Sequence, residues 1–259
     1  MKIGIIGIGN IGSMLVKRFS INKEYELYIY DVNKDRIKKY EDENIHIEDE
    51  ISKVYEKAIF TFVSVKPNHL NDVFDKIKDL SEENRYIIST AAGKTLADLY
   101  ELSGKKNIFR IMPTVISNSG LGTTAIAYNP AISENIVSDV KSILSNLGEV
   151  LEIEEKKFDA FTVLNSSGPA FVAYIIESFL ESGINIGLSH DDSLKIVANT
   201  FMGTLEYLKN EELKLSELKY MVSSPGGVTI KGLYEMDKAA VKGSIMKAIE
   251  EAYLKNKKL

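Results

Sequence analysis

A glycine-rich segment near the amino terminus constrains the fold more than any other feature of this chain. Gly7, Gly9 and Gly12 follow the spacing G-x-G-x-x-G. The segment directly follows a short apolar run, Lys2–Ile6, and opens a stretch of helical periodicity, Asn10–Phe19. A strand, a glycine turn and a helix in this order predict a βαβ unit, because the glycines permit a tight turn and close packing of helix on strand.

The same segment predicts a dinucleotide site, because unpaired N–H groups at a helix start attract a pyrophosphate. We expect it to involve Gly7, Ile8, Gly9, Asn10, Ile11 and Gly12. Asp31 ends the second predicted strand, where a carboxylate can accept hydrogen bonds from the ribose 2′-hydroxyl of NAD. Lys34 and Arg36 lie just beyond it and are either solvated charges or holders of an NADP 2′-phosphate. The cofactor therefore stays open between NADH and NADPH.

Residues 1–155 alternate short β-branched runs with amphipathic stretches, which predicts an α/β fold with a largely parallel, doubly wound sheet. The predicted strands are Lys2–Ile6, Glu26–Tyr30, Ile59–Val65, Tyr86–Ser89, Asn107–Ile111, Thr123–Ala127 and Glu149–Glu152. Residues 156–259 lack strand patterns and predict a second, all-helical domain. Its predicted helices are Phe158–Asn165, Ala170–Ile186, Asp191–Leu208, Leu215–Val222 and Thr229–Leu259.

Two predicted strands end in candidate cofactor residues, since open α/β sheets bind ligands at the carboxyl ends of their strands. Ser64, Val65, Lys66 and Pro67 stand at the first of these ends. We expect Ser64 or Lys66 to border the nicotinamide ribose, and the small side chain of Ala91 to let a flat ring lie close. A helix started by Pro67 and a plain turn at Ala91 explain the same residues equally well.

The helical half contains two glycine–proline clusters. Ser166–Ala170 predicts the stop of one helix and the start of the next. In the second cluster, the N–H groups from Gly226 to Thr229 and the Ser224 hydroxyl predict an anion-binding turn at a helix start, suited to a substrate carboxylate. A capped helix start without a ligand is the alternative.

Composition narrows the chemistry and the partners. The chain has no cysteine and three scattered histidines, His46, His69 and His190, so we expect neither a thiolate nucleophile nor a metal site, and surface positions for the histidines. The net charge of −5 is interspersed, which disfavours nucleic acid. No apolar run reaches the ~18–20 residues of a membrane helix, and the start lacks a secretory pattern, so we expect a cytoplasmic protein.

A stripe of apolar and small residues at helical spacing favours a homodimer, because a domain of ~100 residues can bury such a stripe in a partner subunit as readily as in its own core. The stripe comprises Phe171, Tyr174, Ile175, Ser178, Phe179 and Ser182.

Taken together, these motifs resemble the pyrroline-5-carboxylate reductase family over essentially the whole chain. The motifs that carry the resemblance are Gly7–Gly12, Val65–Pro67, Ala91–Gly93, Arg110–Pro113, Ser167–Phe171 and Ser224–Ile230. The resemblance implies a Rossmann domain, followed by a helical domain for dimerisation and substrate binding, in a homodimer or a ring of dimers. It also implies reduction of 1-pyrroline-5-carboxylate to L-proline, the last step of proline biosynthesis, with hydride from NAD(P)H.

The resemblance further implies roles for individual residues. Ser224 and the N–H groups of Gly226, Gly227 and Val228 would hold the substrate carboxylate, and Thr229 would bind the imine nitrogen and orient its proton. The pyrophosphate would contact Gly7, Gly9, Asn10 and Ile11, and the nicotinamide would lie near Val65, Lys66 and Pro67.

Two features depart from the family pattern. Thr114-Val115-Ile116 replaces the usual Asn-Thr-Pro, and Asp31 is acidic where NADPH-using members are neutral or basic. Two alternatives therefore stay open. One is a divergent relative that acts on another imine or a 3-hydroxy acid, for which Lys195 is the candidate catalytic lysine, although a solvated surface lysine is the simpler interpretation. The other is a regulatory protein that binds NAD(P) without turnover.

The sequence also leaves the role of Arg110 open. Arg110 is either an ion-pair partner or a cleft residue.

Overall fold

The computed structural model describes residues 1–40 and 42–257, and the chain divides into two compact units. The first unit comprises Met1–Ser166 together with the chain end from Asn256, and the second comprises Ser167–Lys255. The strands of the described residues all lie in the first unit. No helix in the described part of the chain is both long enough and apolar enough to cross a membrane.

One mixed sheet forms the centre of the first unit. Its strands are β1 (Lys2–Ile6), β2 (Glu26–Tyr30), β3 (Ile45–Ile47), β4 (Phe60–Val63), β5 (Tyr86–Ser89), β6 (Ile108–Met112), β7 (Gly122–Tyr128) and β8 (Gly148–Glu152). They lie in the order β3-β2-β1-β4-β5-β6-β7-β8. All neighbours pair in parallel except β6 and β7, which are antiparallel. The predicted α/β fold with a largely parallel sheet is thus confirmed.

Helices cover both faces of this sheet. They are α1 (Asn10–Phe19), α2 (Lys34–Ile37), α3 (Ile51–Lys57), α4 (Leu70–Phe74), α5 (Leu96–Ser103), α6 (Glu134–Leu144) and α7 (Phe158–Thr162). Ile3 and Ile5 of β1 pack in one core with residues of α1 and α6. Ile6 packs in a second core with residues of α3, α4 and α5. Successive strand side chains point to opposite faces, so β1 is buried from both sides and the sheet is doubly wound.

Strand β3 is absent from the prediction. It contains three residues, and it forms by pairing Leu27–Ile29 with Ile45–Ile47. A run this short has too little alternation to be separated from a loop by its pattern alone. Only the neighbouring strand defines it.

The second unit is helical, as predicted, with α8 (Gly168–Asn185), α9 (His190–Asn210), α10 (Leu215–Met221), α11 (Val228–Lys238) and α12 (Val241–Asn256). The prediction of one helix over Thr229–Leu259 is wrong within the described residues, because the chain breaks at Ala239 and Ala240. Ala240 has φ 51°, a left-handed conformation that alanine rarely adopts. The predicted stop at Ser166–Ala170 is also wrong: a π-helical turn, Val163–Ser167, leads directly into α8.

Proline explains this π-helical turn. Pro169 has no N–H, and in a regular α-helix its ring would clash with the carbonyl four residues earlier, at Asn165. A wider turn just before the proline avoids the clash without ending the helix. The Asn165 side chain donates to the Thr123 carbonyl at 2.9 Å, which fixes this turn to the end of the sheet.

We predict that Gly12→Ala destabilises the first unit by about 1–3 kcal/mol, because a Cβ there would overlap the Gly7 carbonyl oxygen and push α1 off β1. Urea unfolding measures the loss. Gly9→Ala is the matched control: a Cβ at Gly9 meets nothing within 4 Å, so its loss should stay below about 1 kcal/mol. Equal losses in the two variants would contradict the packing argument.

Candidate active site

The sheet reverses its strand order between β1 and β4. The chain runs from β1 outwards to β2 and β3, and then returns to β4 on the other side of β1. Parallel sheets bind ligands in the crevice at such a point. A cavity of about 590 Å³ opens here. It is lined by Ile6, Gly7, Gly9, Tyr30, Asp31, Val32, Arg36, Ile51, Ser64, Val65, Lys66, His69, Asp72 and Val73.

The glycine turn shapes one wall of this cavity. Gly7 has φ 91° and donates its N–H to the Tyr30 carbonyl at 2.8 Å. A Cβ at Gly7 would lie 2.7 Å from Val65 Cγ1, so both conformation and space require glycine. Gly9 caps α1, and the space where its Cβ would stand is open. The turn therefore offers free N–H groups at the start of α1 and room for an anion beside them.

Asp31 holds this turn in place. Its Oδ2 accepts from the Ile8 N–H at 2.6 Å, and its Oδ1 accepts from the Asn33 N–H at 2.8 Å. The residue is only 4% exposed. The carboxylate thus links the turn after β1 to the turn after β2, a role that spacing alone did not suggest. Contact between Asp31 and the cofactor ribose stays a prediction.

The two basic residues beyond Asp31 differ in their surroundings. Arg36 is exposed, lines the cavity and has no ion-pair partner within residues 1–40 and 42–257. Lys34 is not part of the lining, and its Nζ lies 3.3 Å from Asp49 Oδ1. Of these two basic residues, Arg36 is therefore the one available to a ligand in the cavity.

The end of β4 supplies another part of the cavity wall. The Ser64 hydroxyl is shielded from solvent and has no hydrogen-bond partner among the described residues, so a bound ligand can satisfy it. Lys66 is exposed and lines the cavity, whereas Pro67 begins a short 3₁₀ turn outside the lining. Ala91 is buried in the core and also lies outside the lining.

His69 and Asp72 are polar lining residues that the sequence analysis did not select. His69 Nδ1 lies 3.5 Å from Asp72 Oδ2, and both side chains border the cavity. His69 is exposed, as expected, and it also forms part of the cavity lining. Their place just after the β4 end is the signal that could have identified them, because the same rule selected Ser64 and Lys66.

In the second unit, the candidate substrate turn precedes α11. Gly226 has φ 69°, and the Gly227 N–H donates to the Ser224 carbonyl at 3.0 Å. A Cβ at Gly227 would overlap the Ser224 hydroxyl. The Gly227 N–H is therefore used by the turn itself. The first amides of α11, from Val228 onwards, have no partner within the helix, and the Ser224 and Thr229 side chains are exposed.

Arg110 and the segment Thr114-Val115-Ile116 are the next candidates from the sequence. Arg110 is buried, with Nη1 3.0 Å from Glu155 Oε1 and its guanidinium over the Phe158 ring, which favours the ion-pair interpretation. Thr114 is buried, while Val115 and Ile116 are exposed on a short 3₁₀ turn.

The remaining histidines and the candidate lysine are not among the residues that line the cavity. His190 and Lys195 are exposed on α9. His46 is half-buried, contrary to expectation, and its ring stacks on Tyr28 at 5.0 Å. Within the described residues, no three histidine or acidic side chains are grouped to hold a metal ion.

Comparisons with known proteins cover the full chain. Residues 155–259 match the pyrroline-5-carboxylate reductase dimerisation family, and residues 2–93 match the family described as NADP oxidoreductase coenzyme F420-dependent. The pyrroline-5-carboxylate reductase of Aquifex aeolicus is 34% identical, over 100% of this chain and 97% of its own length.

This chain belongs to the pyrroline-5-carboxylate reductase family. Two solved structures of family enzymes have closely similar folds. The enzyme of Plasmodium falciparum, solved with NADP bound, gives a TM-score of 0.88 at 28% identity, covering 99% of this chain and 97% of its own. The Streptococcus pyogenes enzyme gives 0.89 at 28% identity, covering 100% and 99%. The family's fold therefore extends over both units, and the chain carries the family's dimerisation domain.

Proposed function

We propose that this chain reduces 1-pyrroline-5-carboxylate to L-proline with NADH or NADPH as the hydride donor. The observation that carries the proposal is the turn Ser224–Thr229, which presents hydroxyls and unpaired amides at the start of α11. A protein that only bound a nucleotide would have no use for a second anion site. The glycine turn and its cavity in the first unit supply the dinucleotide site.

The substrate carboxylate binds at the turn before α11. The Ser224 hydroxyl and the N–H groups of Gly226 and Val228 are its donors, while the Gly227 N–H keeps the turn closed on the Ser224 carbonyl. The helix dipole adds to the attraction, because the amino end of a helix carries partial positive charge. This arrangement selects a small anionic substrate over a neutral imine.

The reaction requires little from the protein beyond positioning. A reduced nicotinamide supplies the hydride that bonds to the imine carbon, and the C=N π pair then becomes the lone pair of the amine nitrogen. A protonated cyclic imine is already electrophilic, so no strong base is needed. Thr229 is exposed beside the carboxylate donors and has no side-chain hydrogen bond among the described residues. Its hydroxyl orients the proton on the nitrogen.

The cavity of the first unit fits an NADP-type cofactor. The turn Gly7–Gly12 at the start of α1 would hold the pyrophosphate. The unpartnered Ser64 hydroxyl, with Val65 and Lys66, would contact the nicotinamide half. The lining has two exposed cations, Arg36 and Lys66, and Arg36, which follows Asp31 after β2, would bind a 2′-phosphate. Asp31 already accepts two backbone N–H groups, which reduces its capacity for a ribose hydroxyl.

The second unit forms a homodimer. Among its described residues, the buried ones are Gly183, Ser193 and Val197, so the unit has almost no apolar core of its own. Apolar side chains such as Tyr174, Phe179 and Ile245 remain exposed along a groove. A second copy that covers this groove supplies the missing burial. A ring of dimers and a cytoplasmic location stay predictions.

The dimer proposal predicts the mass in solution. Analytical ultracentrifugation should give twice the chain mass, 28.9 kDa per chain, at assay concentrations. A Phe179→Glu variant should shift towards monomer because the groove would bury a charge. Its control is Leu121→Glu, on an exposed turn of the first unit. A monomeric wild-type chain would contradict the proposal.

The function predicts rapid loss of reduced-nicotinamide absorbance when the protein meets 1-pyrroline-5-carboxylate. The assay runs with NADH and with NADPH, and with a neutral cyclic imine and a 2-oxo acid as competing substrates. Turnover of 1-pyrroline-5-carboxylate alone supports the proposal. Turnover of another substrate instead points to a divergent relative, and tight NADPH binding without any turnover points to a regulatory protein.

Thr229→Ala should lower kcat by about 10- to 100-fold and leave the NADPH Kd within twofold, since the hydroxyl acts on the imine nitrogen and not on the cofactor. Thr229→Ser is the control, because it keeps the hydroxyl and should retain most of the rate. An unchanged kcat in Thr229→Ala would remove Thr229 from the mechanism.

A further inference from the structure

We propose that Asp49 is a determinant of cofactor preference, because its carboxylate holds the Lys34 ammonium that a cofactor 2′-phosphate would otherwise attract. Lys34 Nζ lies 3.3 Å from Asp49 Oδ1 and donates to the Glu48 carbonyl at 3.2 Å. The inference rests on the proposed binding of the 2′-phosphate at Arg36.

Lys34 lies at the same sheet edge as the cofactor cavity. It is the first residue of α2, and its Nζ is 4.9 Å from the centre of the Tyr30 ring. Tyr30 lines the cavity at the end of β2, and Arg36 lines it two residues beyond Lys34. The ammonium is therefore close to the proposed phosphate position without being part of the cavity wall.

The partners of Lys34 come from the adjacent edge strand. Glu48 and Asp49 directly follow β3, and the Glu48 N–H donates to the Ile29 carbonyl of β2 at 2.9 Å. The Glu48 side chain is buried against Lys57 at 2.7 Å, which fixes the backbone that presents Asp49. Asp49 is thus held beside Lys34 by the pairing of β3 with β2.

A 2′-phosphate must compete with Asp49 for Lys34. Arg36 has no ion pair to give up within residues 1–40 and 42–257, whereas Lys34 must exchange a carboxylate for the phosphate. The side chains of Lys34 and Asp49 are 42% and 86% exposed, so the pair is screened by water and the competition is modest. Cofactors without the phosphate do not enter this competition.

The test uses two probes that differ only in the 2′-phosphate, 2′,5′-ADP and ADP, titrated calorimetrically into the wild-type protein and Asp49→Asn. We expect 2′,5′-ADP to bind about three- to fivefold more tightly to Asp49→Asn, the range that an exposed ion pair permits, and ADP to bind within twofold of wild type. NADPH and NADH should show the same contrast. Unchanged or weaker 2′,5′-ADP binding would overturn the proposal.

Two further variants separate Lys34 from a general effect of charge. When Asp49→Asn is added to Lys34→Ala, the affinity for 2′,5′-ADP should not increase, because the Lys34 ammonium that Asp49→Asn would release is absent. Asp35→Asn removes another exposed carboxylate of α2, one that pairs with Lys38 at 2.8 Å, and should also give no gain. A gain that survives Lys34→Ala, or an equal gain in Asp35→Asn, would show that Asp49 acts only through its charge.

The Arg36→Ala variant separates the proposed 2′-phosphate site from the inference about Asp49. A loss of 2′,5′-ADP affinity of about tenfold, with ADP unchanged, supports the proposed 2′-phosphate site. If this loss occurs while Asp49→Asn has no effect, the Asp49 inference alone is wrong. If Arg36→Ala binds 2′,5′-ADP as the wild type does, the phosphate site is wrong and the Asp49 inference fails with it.

Discussion

The carbonyl oxygen of Gly7 occupies the space that a side chain at residue 12 would need, and this close contact between the end of β1 and the first turn of α1 determines the rest of the site. It brings the helix start to the edge of the sheet, where its free amides can meet an anion. Asp31 fixes the geometry by accepting N–H groups from the turns after β1 and β2. Residues from these two turns and from the end of β4 together line the cavity.

The sequence predicts the parts of this arrangement that depend on local pattern. The bounds of β1, β2, β5 and α1 agree with the prediction, because each has a strong hydrophobic pattern bounded by turn residues. The role of Asp31 could not be predicted in this way, since it depends on two loops that meet only after the sheet has formed. Strand β3 likewise forms only by tertiary pairing, with β2. His69 and Asp72 differ, because their place just after β4 marks them in the sequence as candidate lining residues.

In the helical half, the sequence pattern failed to predict two features of the backbone. The break before α12 falls at two alanines, residues that favour helix, so no local pattern marks it. The π-helical turn before α8 keeps the chain helical through a Gly-Pro pair that normally ends a helix. Pro169 and the hydrogen bond from Asn165 to Thr123 account for the π-helical turn, whereas the break before α12 depends on the surroundings of the chain. For a unit with almost no apolar core of its own, we infer that those surroundings include a second copy.

In the proposed reaction, hydride passes from the nicotinamide to the imine carbon of 1-pyrroline-5-carboxylate. Mass spectrometry of the product tests it directly, with NADPH that carries two deuterium atoms at nicotinamide C4. The account predicts L-proline that contains a single deuterium, at the former imine carbon. Unlabelled proline, or oxidation of the cofactor without proline, would contradict it.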